Sequence, residues 1–387
     1  MIQKLCAIGL LVAACAVGVP AQAASVPPPP LTAKAWLLLD ATSGQVMASS
    51  SPDTRIEPAS LTKIMTAYVV FQALQDGRLS AQQQVTVSTR AWKVAPGSSR
   101  MFLEPGSQVS VDNLLYGLLV QSGNDAAIAL AEATSGSVEA FVQRMNEQAA
   151  QMGLHDTHFS SPHGLPDPET YSTARELSVL AQRLVNDFPA LSKQYDSVRS
   201  FTYNNITQSN RNRLLWLDDS VDGLKTGHTN SAGYCLIASA MRPDGPVQRR
   251  LISVVLGAAS DKQRTQDSRV LLNWGFQNFK VVKLYAKGET INTSEIWKGL
   301  QDTVRVGLTQ DAYVTVSRSA EVKPLLIQQQ PLMAPVAAQA PVGTLQAVVD
   351  GQPAGQWPVV ALDAVPQAGV FARAWDTVRL WWRQTTG

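Results

Sequence analysis

Apolar residues recur every three or four positions over residues 60–76, and Gly77 then interrupts the pattern. Positions with this spacing share one side of a helix, so the stretch predicts a helix with a buried face. The same spacing recurs over residues 110–121, with Ser110 placed to cap that helix. Three more helices are predicted further along the chain, over residues 125–134, 138–152 and 173–185. The first half of the chain is therefore predicted to be mostly helical.

The predicted strands lie on either side of these helices. Residues 35–40 and 45–48 are apolar runs around the turn-forming sequence Ala41-Thr42-Ser43-Gly44, which is typical of a hairpin. Residues 232–241 and 250–256 flank a turn rich in proline and glycine in the same way. Strands at both ends with helices between them predict an α/β sandwich, in which one antiparallel sheet is flanked by helices.

The rest of the chain predicts a second domain and a separate tail. A helix over residues 262–276 completes the first domain, which is predicted to span residues 24–278. Residues 279–366 contain short strand patterns separated by turn residues and predict a small β-rich domain. Residues 367–387 predict an amphipathic helix with tryptophans on one side and arginines mostly elsewhere. Such a helix is typical of a segment that lies in a membrane interface, and packing into a protein core is the alternative.

The N terminus has the order of a secretory signal. A short basic start is followed by an apolar run from Leu5 to Val19 and by Ala21-Gln22-Ala23. This order predicts a signal peptide over residues 1–23, with a lipoprotein signal acylated at Cys15 as the alternative. The mature chain is therefore expected to be exported. Cys235 would then be its only cysteine, which excludes an internal disulfide and predicts a buried thiol.

Composition and charge narrow the class of protein. The chain has 387 residues, enough for two domains, and its 45 % hydrophobic and 16 % charged residues are typical of a folded globular protein. A formal net charge of +2, without a basic stripe carrying aromatic residues, argues against nucleic-acid binding.

Candidate chemistry begins with Ser60 and Lys63, which lie one turn apart on the predicted helix. A serine hydroxyl needs a neighbouring base, and a buried lysine with a lowered pKa can act as that base. Alone, this spacing is also typical of a solvated helix face. Two further motifs follow in order, Ser122-Gly123-Asn124 and Lys225-Thr226-Gly227. The three together match the signature of serine β-lactamases and penicillin-binding proteins, although Gly123 stands where that signature has aspartate.

The residues around the motifs resemble the low-molecular-mass penicillin-binding proteins that are D-alanyl-D-alanine carboxypeptidases. The resemblance runs from about residue 35 to residue 276 and is densest at residues 55–63, 122–126, 163–165 and 222–229. The β-rich domain and the amphipathic tail resemble the type-5 branch of this family. The resemblance implies a serine-type enzyme that removes the terminal D-alanine from peptidoglycan pentapeptides through an acyl-enzyme, and that penicillins acylate and inhibit. It also implies a location on the periplasmic face of the bacterial cytoplasmic membrane, held there by the tail, with the β-rich domain as a spacer.

The resemblance also implies the roles of individual residues. Ser60 would be the nucleophile, Lys63 its proton acceptor and Ser122 a proton relay. Asn124 would hold the substrate amide, and the backbone N–H groups of Ser60 and His228 would form the oxyanion hole. The full set of implied substrate-binding residues is Asn124, Lys225, Thr226, Gly227, His228 and Arg264. Within that set, Lys225 would support Ser122, Thr226 would meet the substrate carboxylate with Arg264 near it, and Gly227 would leave room for a substrate strand.

Three other functions remain open from the sequence. A β-lactamase shares the nucleophile and the fold, but class A enzymes use a Glu-x-x-Leu-Asn segment, and no glutamate here is followed four residues later by asparagine. A DD-endopeptidase would use the same residues, and a non-catalytic wall-binding scaffold would keep the fold without becoming acylated. His155, His158 and His163 lack the spacing of metal ligands, so neither a metal nor a cofactor is expected.

Overall fold

The computed structural model describes residues 26–386, and the predicted signal peptide lies outside these residues. The described chain divides into two compact units. The larger unit contains residues 26–283 and Ala312–Ser319, and the smaller unit contains Leu284–Asp311 and residues 320–386.

Helices and strands both contribute to the larger unit, whereas strands dominate the smaller one. The strands are β1 (Ala35–Asp40), β2 (Gln45–Ser50), β3 (Gln84–Thr86), β4 (Gln108–Ser110), β5 (Ser200–Tyr203), β6 (Ile206–Ser209), β7 (Val221–Thr229), β8 (Gly233–Asp244), β9 (Val247–Ala258), β10 (Phe279–Tyr285), β11 (Thr290–Trp297), β12 (Thr303–Leu308), β13 (Ala312–Ser317), β14 (Val322–Gln328), β15 (Leu332–Met333), β16 (Pro341–Val349) and β17 (Gln352–Ala361). The helices are α1 (Lys63–Gln75), α2 (Thr89–Trp92), α3 (Val111–Leu119), α4 (Asn124–Ser135), α5 (Val138–Gln151), α6 (Ala174–Asp187), α7 (Pro189–Asp196), α8 (Leu214–Leu217), α9 (Asp261–Asn278) and α10 (Val370–Thr386).

The larger unit is built on a five-stranded antiparallel sheet with the order β2-β1-β9-β8-β7. Successive residues of a strand point to opposite faces, and β1 shows what each face contacts. Leu37 and Leu39 belong to the core formed by the helices around α1, whereas Trp36 and Leu38 belong to the core formed with α9. The predicted sandwich of one antiparallel sheet flanked by helices is confirmed, and β7 lies at an edge of the sheet.

Several local predictions agree with the structure. The predicted hairpin is formed by β1 and β2. Ser110 caps α3, where its hydroxyl accepts a hydrogen bond from the backbone N–H of Asn113 at 3.2 Å. The start of the first helix differs from the prediction, because Ser60 lies in a 3-10 helix, Ala59–Thr62, and α1 begins only at Lys63. Ala59 has a left-handed backbone (φ 49°), which prevents an α-helix from starting before Ser60.

Strand β13 lies in the larger unit, although the sequence pattern assigned residues 312–316 to the β-rich domain. It pairs with β10 and reaches the hairpin of β1 and β2. The hydroxyl of Thr315 donates to the carboxylate of Asp40 at 2.6 Å and lies 2.7 Å from the hydroxyl of Ser43. Contacts between residues so far apart in sequence leave no local pattern, so periodicity alone could not reveal them.

The smaller unit contains a six-stranded sheet with the order β14-β16-β17-β12-β11-β15, in which β15 is parallel to β11 and the other pairs are antiparallel. The predicted amphipathic helix is α10. None of the helices between residues 26 and 386 is both long enough and apolar enough to cross a membrane.

Candidate active site

Lys63 is completely buried beside the hydroxyl of Ser60. Its side-chain nitrogen (Nζ) makes three short contacts: Ser60 Oγ at 2.9 Å, Asn124 Oδ1 at 2.7 Å and the carbonyl oxygen of His163 at 2.9 Å. Two of these partners are carbonyl oxygens, which can only accept hydrogen bonds. The nitrogen is therefore held at a fixed position against the candidate nucleophile.

Burial changes the charge state of this lysine. The pKa of Lys63 is lowered to about 7. Loss of hydration is the main cause, the positive charge of Arg211 adds to the shift, and the negative charge of Asp125 opposes it. A lysine with this pKa is neutral in a large fraction of molecules at neutral pH. It can therefore accept a proton from a serine hydroxyl.

The segment around His163 packs against the 3-10 helix that carries Ser60. Gly164 has a left-handed backbone (φ 74°), and a Cβ at this position would overlap the carbonyl oxygen of Ala59. Only glycine allows so close an approach, which brings the carbonyl of His163 onto Lys63. Burial lowers the pKa of the His163 ring to about 3, with contributions from Lys63 and Arg90, so the ring is neutral. This segment therefore supplies a backbone contact rather than a titrating base.

Ser122 lies in the loop between α3 and α4, and Asn124, the first residue of α4, contacts Lys63. Ser122 is a buried residue with a left-handed backbone (φ 62°), and its hydroxyl has no hydrogen-bond partner among the described residues. A strained backbone and an unsatisfied buried hydroxyl are both typical of functional sites. Gly123 is the cap residue of α4, and the Asn124 side chain contacts Lys63 instead of capping the helix.

Asp125 fixes the loop formed by residues 99–103 against the start of α4. Its carboxylate accepts hydrogen bonds from the backbone N–H groups of Met101 at 3.0 Å and Leu103 at 3.1 Å. The backbone N–H of Asn124 donates to the carbonyl of Ser99 at 2.8 Å. The start of α4 and residues 99–103 are thereby joined into one wall of the site.

The Lys-Thr-Gly motif lies on β7, at the open edge of the five-stranded sheet. Lys225 is 2 % exposed, which excludes the interpretation as a solvated strand lysine, and its Nζ donates to the carbonyl of Thr226 at 3.0 Å. Burial holds the pKa of Lys225 well below its usual range, and the positive charges of Lys63, Arg211 and Arg264 add to the effect. Lys63 and Arg211 thus lie close enough to Lys225 to affect its charge.

Gly227 and Arg264 hold β7 in place. A Cβ on Gly227 would lie 3.0 Å from the carbonyl oxygen of Pro58, so this glycine lets β7 pack against the segment that carries Ser60. The structure thus gives this glycine a packing role, and the expected role, room for a substrate strand, stays a prediction. Arg264 is buried and donates to the carbonyl of Gly227 at 2.9 Å and to Asp261 at 2.9 Å. His228 follows on β7 and is exposed, with its ring 4.0 Å from that of Tyr234.

The structure thus brings Ser60, Lys63 and Asn124 into direct contact and places the Lys-Thr-Gly strand against the same 3-10 helix. The sequence analysis gave no role to Asp125, Arg211 or the carbonyl of His163. Asp125 directly follows the second motif, and a buried acid there could have been suspected. Nothing in the sequence around Arg211 indicated a role for it in the site.

Cys235 is buried, as expected, and burial raises the pKa of its thiol to about 11. Over residues 26–386, no cluster of three or more His, Cys, Asp or Glu side chains could hold a metal ion.

A buried lysine that contacts a serine hydroxyl, beside an open sheet edge, is an arrangement typical of serine hydrolases that use a lysine as the base. Residues 21–260 match the family model described as D-alanyl-D-alanine carboxypeptidase, peptidase S11, and residues 279–367 match the C-terminal domain of penicillin-binding protein 5. The chain belongs to the D-alanyl-D-alanine carboxypeptidase family.

Relatives resemble nearly the whole chain. It is 41 % identical over 356 residues to D-alanyl-D-alanine carboxypeptidase DacA of Haemophilus influenzae, which covers 91 % of this chain and 90 % of that protein. It is 42 % identical over 375 residues to DacC of Escherichia coli, covering 94 % and 92 %. The crystal structure of penicillin-binding protein 5 from Haemophilus influenzae superimposes with a TM-score of 0.86 at 40 % identity, covering 89 % of this chain and all of that one.

The expected family, fold and activity are therefore confirmed. The chain is a serine-type D-Ala-D-Ala carboxypeptidase, a hydrolase with penicillin-binding proteins among its structural neighbours. Family membership decides in favour of this activity over the β-lactamase and scaffold alternatives.

Proposed function

We propose that this carboxypeptidase uses Ser60 as its nucleophile and the neutral side chain of Lys63 as the base that activates it. The observation that supports this proposal is the buried position of Lys63 Nζ, 2.9 Å from Ser60 Oγ. In the neutral amine, both N–H groups can point to the oxygens of Asn124 and His163. The nitrogen lone pair then faces the hydroxyl of Ser60 and can take its proton.

The reaction proceeds in two steps. Ser60 Oγ attacks the carbonyl carbon of the penultimate D-alanine, and its proton moves to Lys63. The backbone N–H groups of Ser60 and His228 stabilise the negative oxygen of the tetrahedral intermediate. The C–N bond then breaks, and the terminal D-alanine leaves with the proton, which reaches its amine through the hydroxyl of Ser122. Water then attacks the carbonyl carbon of the ester. Its hydroxyl stays on that carbon as part of the new carboxyl group, the C–O bond to Ser60 breaks, and Ser60 Oγ takes a proton from the water.

Substrate binding uses the open edge of β7. An extended peptide can add to an edge strand through backbone hydrogen bonds, which places its terminal carboxylate beside Thr226. Asn124 holds the substrate amide, Lys225 supports Ser122, and Arg264 and Arg211 supply positive charge for the carboxylate. A site with this excess of positive groups favours an anionic chain end. Stem peptides of peptidoglycan have this chemistry, and β-lactams acylate the same serine.

The test is intact-mass spectrometry after incubation with benzylpenicillin, beside release of D-alanine from a peptide that ends in D-Ala-D-Ala. Wild type should gain the mass of one penicillin and release D-alanine, and Ser60→Ala should do neither while keeping the wild-type melting temperature. An adduct that persists in Ser60→Ala would show that another residue is the nucleophile.

The location of the enzyme is a second part of the proposal. The N-terminal signal supports export to the periplasm, and the exposed apolar face of α10 supports peripheral attachment to the cytoplasmic membrane. Phe371 is 93 % exposed and Trp381 is 62 % exposed. Large apolar side chains that are exposed together are typical of a surface that a membrane or a partner covers. Deletion of residues 368–387 should release the protein from sedimented membranes without loss of D-alanine release. A shortened protein that still sediments with membranes would contradict this attachment.

A further inference from the structure

One end of the smaller unit contains a groove between α10 and β11 that the reaction does not use. The backbone N–H of Lys298 donates to the carboxylate of Asp376 at 2.7 Å, and Arg383 donates to Glu295 at 2.6 Å. These contacts tie the middle and the last turn of α10 to the end of β11. The helix is therefore held against the sheet along one side, and its apolar side is left uncovered.

The groove has a volume of about 490 Å³ and two chemically different walls. Its apolar wall is formed by the rings of Trp297, Trp375 and Trp382. Its polar wall carries the guanidinium groups of Arg379 and Arg383. Trp297 is buried beneath these arginines, with its ring centre 5.5 Å from the guanidinium carbon of Arg379. A cation stacked on an indole ring is held in place with its N–H groups directed outward.

The two arginines differ in how well their charge is neutralised. Arg383 has a short ion pair with Glu295, at 2.6 Å. Arg379 is 3.9 Å from Asp376, whose carboxylate already accepts from the backbone of Lys298. Both side chains are exposed, Arg379 to 55 % and Arg383 to 67 %, so the difference lies in their ion pairs. Arg379 is therefore the group in the groove that is best able to take a further anion.

We propose that this groove binds one phospholipid of the membrane surface, with the lipid phosphate on Arg379 and the first carbons of its acyl chains against Trp375 and Trp382. The proposal rests on the membrane attachment proposed above for α10. A planar guanidinium matches two oxygens of a phosphate, and tryptophan is suited to the boundary between headgroups and acyl chains. The groove opens between the arginines and the apolar side of the helix. A lipid bound there therefore stays close to the plane of the bilayer.

The apolar side of α10 gives the depth at which the groove would lie. An interfacial helix is buried roughly 5–10 Å into the boundary between headgroups and acyl chains. Phe371 and Trp381 are on the uncovered side, so their insertion brings Arg379 to the level of the lipid phosphates. Anionic lipids fit this site best, because α10 carries three arginines and one aspartate.

The first test uses the full-length mature protein and a short-chain phosphatidylglycerol below its micelle concentration, with binding followed by native mass spectrometry and calorimetry. Arg379→Gln removes the phosphate contact. Arg373→Gln removes the same charge from the same helix at a position outside the groove, which makes it the matched control. We expect one lipid bound to wild type, about tenfold weaker binding by Arg379→Gln and wild-type affinity for Arg373→Gln. Release of D-alanine by all three proteins verifies that they are folded.

Inorganic phosphate serves as the second ligand in the same titration. It should bind far more weakly than the lipid, because it lacks the carbons that contact the tryptophans. Equal affinity for phosphate and lipid, or equal losses in the two variants, would overturn the lipid site.

Vesicles of phosphatidylglycerol separate this proposal from the membrane attachment on which it rests. Binding of wild type to vesicles without binding of the short-chain lipid would overturn the groove and leave the attachment standing. Binding of the short-chain lipid without binding to vesicles would support the groove and overturn the attachment. Weaker vesicle binding by Arg379→Gln than by Arg373→Gln would support both.

Discussion

The chemistry of the site depends on the charge of Lys63. A lysine in water has a pKa near 10.4 and is protonated at neutral pH, so it cannot act as a base. Burial against the oxygens of Asn124 and His163 removes its hydration and brings its pKa to about 7. The same burial costs stability, because a charged group loses its water. In the proposed mechanism, Lys63 therefore serves the reaction at a cost to the stability of the fold.

Arg211 is expected to set the pH at which the enzyme gains activity. The rate of acylation by benzylpenicillin should fall as the pH drops through about 7, because Lys63 then becomes protonated. Arg211→Gln removes a positive charge that lowers the pKa of Lys63, so the pKa should rise and the loss of activity should begin at higher pH. The measurement is the second-order acylation constant between about pH 5 and 9.

Arg213→Gln is the matched control for this prediction. Arg213 lies two residues away, is exposed and pairs with Asp261 at 2.8 Å. Its pH profile should stay that of wild type. An unchanged profile in Arg211→Gln as well would mean that burial alone sets the pKa of Lys63.

Residues that belong to a motif were predicted from the sequence. A residue that influences the site only through its charge was missed. Ser60, Lys63, Ser122 and Lys225 stand in three recognisable motifs, and the structure brings these motifs to one site. Arg211 contributes through its charge, which needs no fixed spacing from the motifs. No pattern within its own segment could have revealed it.

At the scale of secondary structure, the site is built from the ends of elements. Asn124 is the first residue of α4, Lys63 is the first residue of α1, and the Lys-Thr-Gly motif lies on an edge strand. The bodies of these helices are apolar and buried, and they fix the polar residues at their ends. In the loop at residues 99–103, Met101 and Leu103 are buried in the core, and their backbone N–H groups depend on Asp125 for hydrogen bonds.

Loss of the Asp125 carboxylate should loosen that loop. Asp125→Ala leaves the buried N–H groups of Met101 and Leu103 without partners, which costs roughly 1–3 kcal/mol. We expect faster hydrogen exchange at these two amides and slower acylation by benzylpenicillin. Ser110→Ala provides the comparison, since it removes the cap of α3 for about 1 kcal/mol but should leave both amides protected. Unchanged exchange in Asp125→Ala would show that other contacts hold the loop.

Features with local signals were predicted, whereas features that depend on distant partners, such as the place of the predicted strand β13 in the larger unit, were not. The β1–β2 hairpin and the cap of α3 follow from turn residues and from Ser110, both of which lie within a few positions of their effect. The 3-10 helix at Ser60 depends on the left-handed backbone of Ala59, packed beneath Gly164. Strand β13 depends on contacts with Asp40 and Ser43. Neither contact changes the periodicity of the segment that makes it.

At the scale of the whole molecule, one buried acid limits stability at neutral pH. Asp196 accepts a hydrogen bond from the hydroxyl of Ser192 at 2.5 Å, and its other oxygen has no partner among the described residues. Burial raises its pKa to about 7, with Asp222 adding to the rise and Arg250 and Lys225 opposing it. In the unfolded chain its pKa is near 3.9. The folded protein therefore holds a proton that the unfolded chain loses, and stability falls as the pH rises from about 4 to about 7.

Asp196→Asn should remove this penalty. The difference between the two pKa values corresponds to at most about 4 kcal/mol above pH 7, and to almost nothing near pH 4. The variant should therefore resist urea better than wild type at pH 8 and equally at pH 4. Asp219→Asn, on an exposed side chain, should match wild type at both values. A variant that is less stable at pH 8 would mean that the ionised Asp196 stabilises Lys225 by more than its burial costs.

The return of β13 to the larger unit has a consequence for anyone who wishes to isolate the enzymatic half. The backbone leaves that half at residue 283, comes back for residues 312–319 and leaves again. A fragment that stops at residue 283 would lose Thr315, and Asp40 at the end of β1 would lose a hydrogen bond. A stable fragment has to splice residues 26–283 directly to residues 312–319 through a short artificial linker. Shuffling of whole halves between relatives would face the same obstacle, since a single crossover point cannot separate them.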